Sequence, residues 1–322
     1  MKVFLEKNKE GLYEVKVDFS KDFNELFEML ENRSKEIHNH PDPILELTER
    51  EIKEFFNDKT DVVYIPAGRS MITLLSNQMN YIYSSMDDIQ KRNMDYCTRS
   101  YLEKILQMKS VFTISPVEML NDVISMTYIK IDEERAKESI SLMKQLLQGE
   151  YINKDGEERL QVSKNRYVKL NYASSGQQEV VWILNVLFYY LLNGESTYFI
   201  IEEPESHLFP NSQKLVMEFI ALVCNGNGNQ LFLTTHSPYI LGTINNLLYA
   251  DKVSKDVDES QLSRIISKNK WLNYDKVNAI FVQNGKIKSC LDEEFKSIEN
   301  EVIDGVSEQI NEDYDKMLEL KG

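Results

Sequence analysis

At 322 residues with 42% hydrophobic side chains, the chain is long enough to bury a full core as one large domain or two lobes. Its formal net charge of -15 argues against nucleic acid held by bulk electrostatics, while leaving room for a local basic groove. Cys97, Cys224 and Cys290 show no metal-ligand or paired spacing, which suits a reducing cytoplasm better than secretion.

The N-terminal MKVFLEKNKEGLYEV lacks the apolar run of a signal peptide, and no stretch is long enough to span a bilayer. It reads instead as a hairpin, since VFLEK and YEVKVDF alternate apolar and polar side chains around Asn8-Lys9-Glu10-Gly11. From Phe23 to Arg33 the pattern turns helical, and His38-Asn39-His40-Pro41-Asp42-Pro43 breaks it. Asp61 to Ile65 is the short apolar run of a buried strand, closed by Pro66. From about Met71 to Gln148 the chain is mostly helical, with Ser115-Pro116 as a start signal. Its apolar residues do not hold heptads long enough for an extended coiled coil, which predicts a compact helical lobe.

A second hairpin follows, YINK and ERLQV flanking the tight-turn pair Asp155-Gly156. Glu179 to Leu192 is a strongly apolar helix closing near Asn193-Gly194. Tyr198 to Ile201 is a continuous apolar strand, expected to be parallel and buried on both faces. A helix from about Ser212 to Cys224 leads through NGNGN to the strand QLFLTT, an α/β rhythm. A last hairpin signal stands at Asn284-Gly285, before an acidic helix from about Asp292 to Leu320.

Three segments carry chemistry. In YFIIEEPE an apolar strand delivers Glu202 and Glu203 at its C-terminal end, the edge where α/β sheets bind ligands. Adjacent strand residues point to opposite sides, so one carboxylate can hold a hydrated Mg2+ while the other orients the attacking water. An acidic turn capping a buried strand is the plainer alternative. His236, just past QLFLTT in T-T-H-S-P, is a candidate donor to phosphate or water, or else a hydrogen-bonded edge histidine. Ser174-Ser175-Gly176-Gln177 opens the apolar helix, where free backbone N–H groups and the helix dipole favour an anion; an ordinary serine cap explains the same residues.

Taken in order, these segments resemble the ABC-type ATPase superfamily, and more closely its non-transporter branch of OLD-like, RecF-like and SMC-like "AAA domain" ATPases. SSGQQ is similar to the signature motif, with Ser174 and Gly176 at its phosphate-contacting serine and second glycine. YFIIEE resembles Walker B, with Glu202 as the metal position and Glu203 as the catalytic position. TTHSPYIL resembles the switch-histidine motif, which carries His236 over. VVYIPAGRS resembles the strand entering the helical lobe near the Q-loop. The implied cofactors are ATP and Mg2+, and the implied fold is an α/β, ABC-ATPase-like sheet with flanking helices and an inserted helical lobe. The domain map that goes with it is 1–70 as an N-terminal β-rich part, 71–150 as the helical lobe, 151–250 as the ATPase core and 251–322 as a C-terminal extension.

One part of that pattern is missing. No G-x-x-x-x-G-K-[ST] loop occurs anywhere in the 322 residues. Gly68-Arg69-Ser70 imitates its end, but the first glycine would fall on Val63 inside a strand, and arginine cannot simply replace the P-loop lysine. Arg69 is therefore expected either to contact a γ-phosphate or to form a structural salt bridge. The run RLQVSKNRYVK either tracks a phosphate backbone or forms a solvated hairpin face. The resemblance implies a cytoplasmic, nucleotide-driven dimerisation switch, as homodimer or heteromer, in DNA repair or phage defence. It needs a P-loop from outside this sequence, with DNA and a nuclease or toxin effector as partners and no membrane. The alternative is a non-catalytic interaction scaffold that keeps the fold; no nuclease is expected in the chain, which has no D-x-D on a strand end after Leu241.

Overall fold

A computed structural model describes residues 2–7, 13–36, 50–56, 58, 60–70, 73, 81, 84–87, 95–126, 131–299 and 301–321. The chain divides into two compact units at Thr60/Asp61. In the first, β1 (Lys2–Lys7) and β2 (Tyr13–Asp18) form the expected antiparallel hairpin, followed by α1 (Lys21–Glu36). Phe19 stacks on Phe23, and Phe23 meets Phe55 and Phe56 edge-on or tilted, so aromatic packing joins α1 to the helical segment 50–56. The His38–Pro43 break lies outside the described residues, as does most of 71–94.

The second unit is built on a parallel sheet of three strands, β3 (Asp61–Ile65), β7 (Thr197–Glu202) and β8 (Gln230–Thr234), in the order β3-β7-β8. The strand Asp61–Ile65 thus stands at one end of this sheet. Between β3 and the next strand lie, among the described residues, α2 (Tyr96–Met108), α3 (Pro116–Ser125) and α4 (Glu133–Leu147). Ser115 and Glu118 close a reciprocal capping box at the start of α3, with Pro116 at its first position, as the Ser-Pro signal implied. The buried faces of these helices pack onto the sheet. Tyr101, Ile105, Met143 and Leu147 share one core with Val63, Ile65, Phe199 and Ile201 of the sheet.

A three-stranded antiparallel sheet follows, β4 (Glu150–Lys154), β5 (Glu157–Ser163) and β6 (Arg166–Lys169). Asp155 and Gly156 both take left-handed φ values, 53° and 80°, which is the geometry an Asp-Gly hairpin turn requires. All of β6 is exposed. The long helix α5 (Ser175–Asn193) is buried along nearly its whole length and ends on left-handed Gly194. The helices α6 (Pro210–Cys224), α7 (Pro238–Val253) and α8 (Glu259–Ser263) complete this part.

Two expectations change. The central strand β7 is parallel, but only Thr197, Phe199 and Ile201 are buried; Tyr198 and Ile200 on the other face are half-buried, beside exposed Val62 and Phe232. Helices cover one side of the sheet, and the apolar run does not report that asymmetry. The acidic helix begins at Glu301, not near Asp292. Between them lie β11 (Leu291–Asp292) and β12 (Ser297–Ile298), which follow the hairpin of β9 (Ile280–Gln283) and β10 (Lys286–Ser289). The Asp292 carboxylate accepts from the backbone N–H of Glu294 and Phe295, a local turn that competes with a helix start. The last helix, α9, runs Glu301–Lys321.

Candidate active site

Parallel pairing sets the geometry. Glu202 at the end of β7 stands opposite Thr234 at the end of β8, so the residues leaving both strands emerge at one sheet edge. Glu203, one step beyond, donates its N–H to the Thr234 carbonyl at 3.0 Å, and its φ is +40°. A non-glycine residue there is strained by about 1–3 kcal/mol, the kind of backbone outlier that gathers at functional sites. The strain turns the chain so that Glu203 Oε1 lies 3.7 Å from His236 Nε2, while Oε2 accepts from Ser206 Oγ at 3.2 Å. The imidazole is 88% exposed, open to a ligand or a second molecule.

Glu205 holds the histidine loop. Its Oε1 accepts from Thr235 Oγ1 at 2.6 Å and from the His236 N–H at 2.8 Å, and its buried Oε2 has no hydrogen-bond partner. Ser237 then caps α7, accepting from Tyr239 and Ile240 N–H and donating to Gln213 of α6 at 2.5 Å. The imidazole is thus exposed while its backbone is fixed on both sides.

Glu202 is held differently. Its Oε2 accepts from the Ala67 N–H at 3.2 Å, and the Tyr64 phenol donates to the same carboxylate. Burial first, and then the hydrogen bond and charge of Glu202, push the Tyr64 phenol well above its ordinary range, so it stays protonated and able to donate. Among the described residues no lysine or arginine side chain pairs with Glu202 or Glu203.

Arg69 comes closest, and it does not reach either carboxylate. It is fully buried, with Nη1 donating to the carbonyls of Pro66 and Glu202 at 2.5 and 2.7 Å, and Nη2 to the Glu203 carbonyl at 2.9 Å. Its Nε sits 3.3 Å from Glu179 Oε2, whose carboxylate also accepts from the N–H groups of Arg69 and Ser70 at 3.0 and 2.9 Å. Of the two readings the sequence left open for Arg69, the structural salt bridge is what the geometry serves. An enclosed guanidinium engaged with four carbonyls, those of Pro66, Glu179, Glu202 and Glu203, and a carboxylate has no face for a γ-phosphate.

The serine-rich turn lies beside this edge without touching the Glu203–His236 pair directly. Ser174 caps α5 in a reciprocal box with Gln177, whose side chain also donates to the Leu147 carbonyl at 2.7 Å. Ser174 and Ser175 are exposed, and Gly176 is pressed against the turn after the acidic pair. A Cβ on Gly176 would come within 2.9 Å of the His207 carbonyl oxygen and 3.1 Å of Leu208 Cδ2. His207 has a φ of 59°, so this turn, like Glu203, is strained. The Gly176–His207 contact and the Glu179–Arg69 bridge are the two physical links between the helix start and the acidic strand end.

A family model described as an AAA ATPase domain matches residues 2–241, which include all of these site residues. The chain belongs to that family. It is a nucleotide-binding ATPase domain with a mixed α/β fold, a parallel sheet and flanking helices. No curated protein matches the chain. Among the described residues of this AAA ATPase domain, no helix is long and apolar enough to cross a membrane.

The donor set fits a hard cation shared with a phosphate. Among the described residues no lysine or arginine neutralises Glu202 or Glu203, and Glu205 Oε2 has no hydrogen-bond partner. Among the described residues no three His, Cys, Asp or Glu side chains are grouped to hold a metal by themselves. Mg2+ keeps its waters and is bound by one or two carboxylates together with substrate phosphate, a role open to Glu202 and Glu203. Sequence reasoning passed over Glu179, which looks like an ordinary first-turn acid, and Tyr64, which looks like any strand aromatic. The signal for Glu179 was available: it is the one charged residue of a long and mostly apolar helix, and such a charge needs a buried partner.

Proposed function

We propose that this AAA ATPase domain hydrolyses ATP at the C-terminal edge of its parallel sheet and uses that reaction as a dimerisation switch. The observation that carries the reading is the pairing of Glu203 with an exposed, backbone-anchored His236, next to a Glu202 that no lysine or arginine among the described residues neutralises. Glu202 would hold Mg2+, which supplies charge neutralisation at the phosphate oxygens. Glu203 orients the attacking water and receives its proton, with Ser206 restraining one carboxylate oxygen and leaving the other toward the imidazole. His236 donates to the phosphate or the water from the opposite strand end. Buried Arg69 and Glu179 hold the two strand exits and the start of α5 in register.

The switch rests on Ser174, Ser175, Gly176 and Gln177. They open α5 with an exposed first turn, where helix N–H groups suit the phosphates of nucleotide held by a second copy or a related chain. The phosphate grip itself is proposed to come from a segment outside these residues, as no P-loop pattern occurs within them. DNA repair or phage defence, with DNA and an effector as partners, is the setting that the resemblance to OLD-like ATPases supports.

The test is ATP turnover by the full-length gene product against its Glu203→Gln variant. Loss of turnover with retained ATP-dependent association supports the reading. Equal turnover by both proteins overturns it.

A further inference from the structure

The last helix carries an apolar face that is exposed among the described residues. Every residue of α9 from Ile310 to Leu320 is exposed, including large apolar side chains: Ile310 63%, Tyr314 58%, Met317 60% and Leu318 51%. These four fall at positions i, i+4, i+7 and i+8, which at 3.6 residues per turn is a single stripe about 100° wide. A surface helix of a folded domain normally turns such a stripe inward, because packing of that face supplies most of its stability. Scattered exposed leucines need no explanation, whereas an aligned row of this length marks a contact surface.

The charges around the stripe select its occupant. Asp313 lies three residues after Ile310 and four before Met317, on one border; Asp315 lies three before Leu318, on the other. Lys316 is engaged within the helix, 3.5 Å from Glu312 and 3.9 Å from Asp313. From Glu301 to Lys321 the helix holds seven carboxylates against two lysines. A second copy of α9 would set these carboxylates against each other, and like charges across a helix seam disfavour pairing. An anionic membrane surface is disfavoured for the same reason, since interfacial helices carry lysine and arginine on their polar face. We propose that α9 is a docking surface for a basic amphipathic helix of another protein, whose apolar residues cover the stripe and whose lysines or arginines meet Asp313 and Asp315.

The experiment uses the full chain and two fluorescently labelled 18-residue amphipathic peptides with the same leucine pattern, one with lysine and one with glutamate on the polar positions. Fluorescence anisotropy is expected to show binding of the Leu/Lys peptide and not of the Leu/Glu peptide. Ile310→Ser with Met317→Ser should weaken that binding roughly tenfold or more. Asp313→Lys with Asp315→Lys should transfer the preference to the Leu/Glu peptide. Because all four positions are exposed, circular dichroism should show the variants folded. The proposal is overturned if neither peptide binds, if both bind equally, or if the stripe variant keeps Leu/Lys binding. It is also overturned if the stripe instead carries concentration-dependent dimerisation of the chain or attachment to lipid vesicles.

Discussion

Arg69 and Glu179, 110 positions apart in sequence, form a fully buried ion pair whose further hydrogen bonds include the backbone where β3 and β7 end. A charged pair removed from water must be satisfied on all sides, and this one is satisfied by the carbonyls that define the site. Removing one partner leaves the other charged and enclosed. Arg69→Met should cost ~3–5 kcal/mol of unfolding free energy, and the double variant with Glu179→Leu should cost clearly less than the sum of the two single variants. Urea unfolding of the four proteins checks the cycle; additive costs would mean the two side chains do not act as a pair.

Gly176 is a glycine for reasons of space. A methyl there meets a backbone carbonyl, His207 O at 2.9 Å, which cannot swing aside as a flexible side-chain tip can. Gly176→Ala should destabilise the protein by about 1–3 kcal/mol and displace the 203–208 turn, with activity falling more than stability. Denaturation midpoints together with a structure of the variant read both effects. An unchanged turn would show that the contact does not couple the helix start to the acidic pair.

Glu205 fixes the His236 backbone while leaving the imidazole exposed. Glu205→Ala frees the His236 N–H and the Thr235 hydroxyl, a loss of about 1–3 kcal/mol in local hydrogen bonding. Hydrogen exchange at 235–237 should rise and ATP turnover should fall. Unaltered exchange in that segment would remove Glu205 from the site.

The pH dependence of stability has a local source in Glu218. Burial alone would raise its pKa, but Lys214 at 2.8 Å and Lys270 at 2.9 Å outweigh burial and bring it below its ordinary value of 4.5. A depressed carboxylate pKa stabilises the folded state above the unfolded value, and that contribution is lost as pH falls through the folded one. The unfolding midpoint should therefore drop below about pH 4.5, and Glu218→Gln should flatten the drop. A variant with the same acid slope as the parent would assign the titration elsewhere.

Local chemistry made much of this protein legible from its residues alone. Ser115-Pro116, Asp155-Gly156, Asn284-Gly285 and Asn193-Gly194 each specify a cap or turn through backbone preferences that act within a few residues, and the structure has each of them. The Glu202–Glu203 pair and His236 could be placed at one edge because a helix and a return strand fit between them in a parallel sheet. Tertiary structure alone decided that Arg69 faces inward. Its fate depends on Glu179 and on two carbonyls more than 100 residues away, and no short-range rule connects them. It also decided which side of the sheet the helices cover, since an apolar strand reads the same whether one face or both are buried.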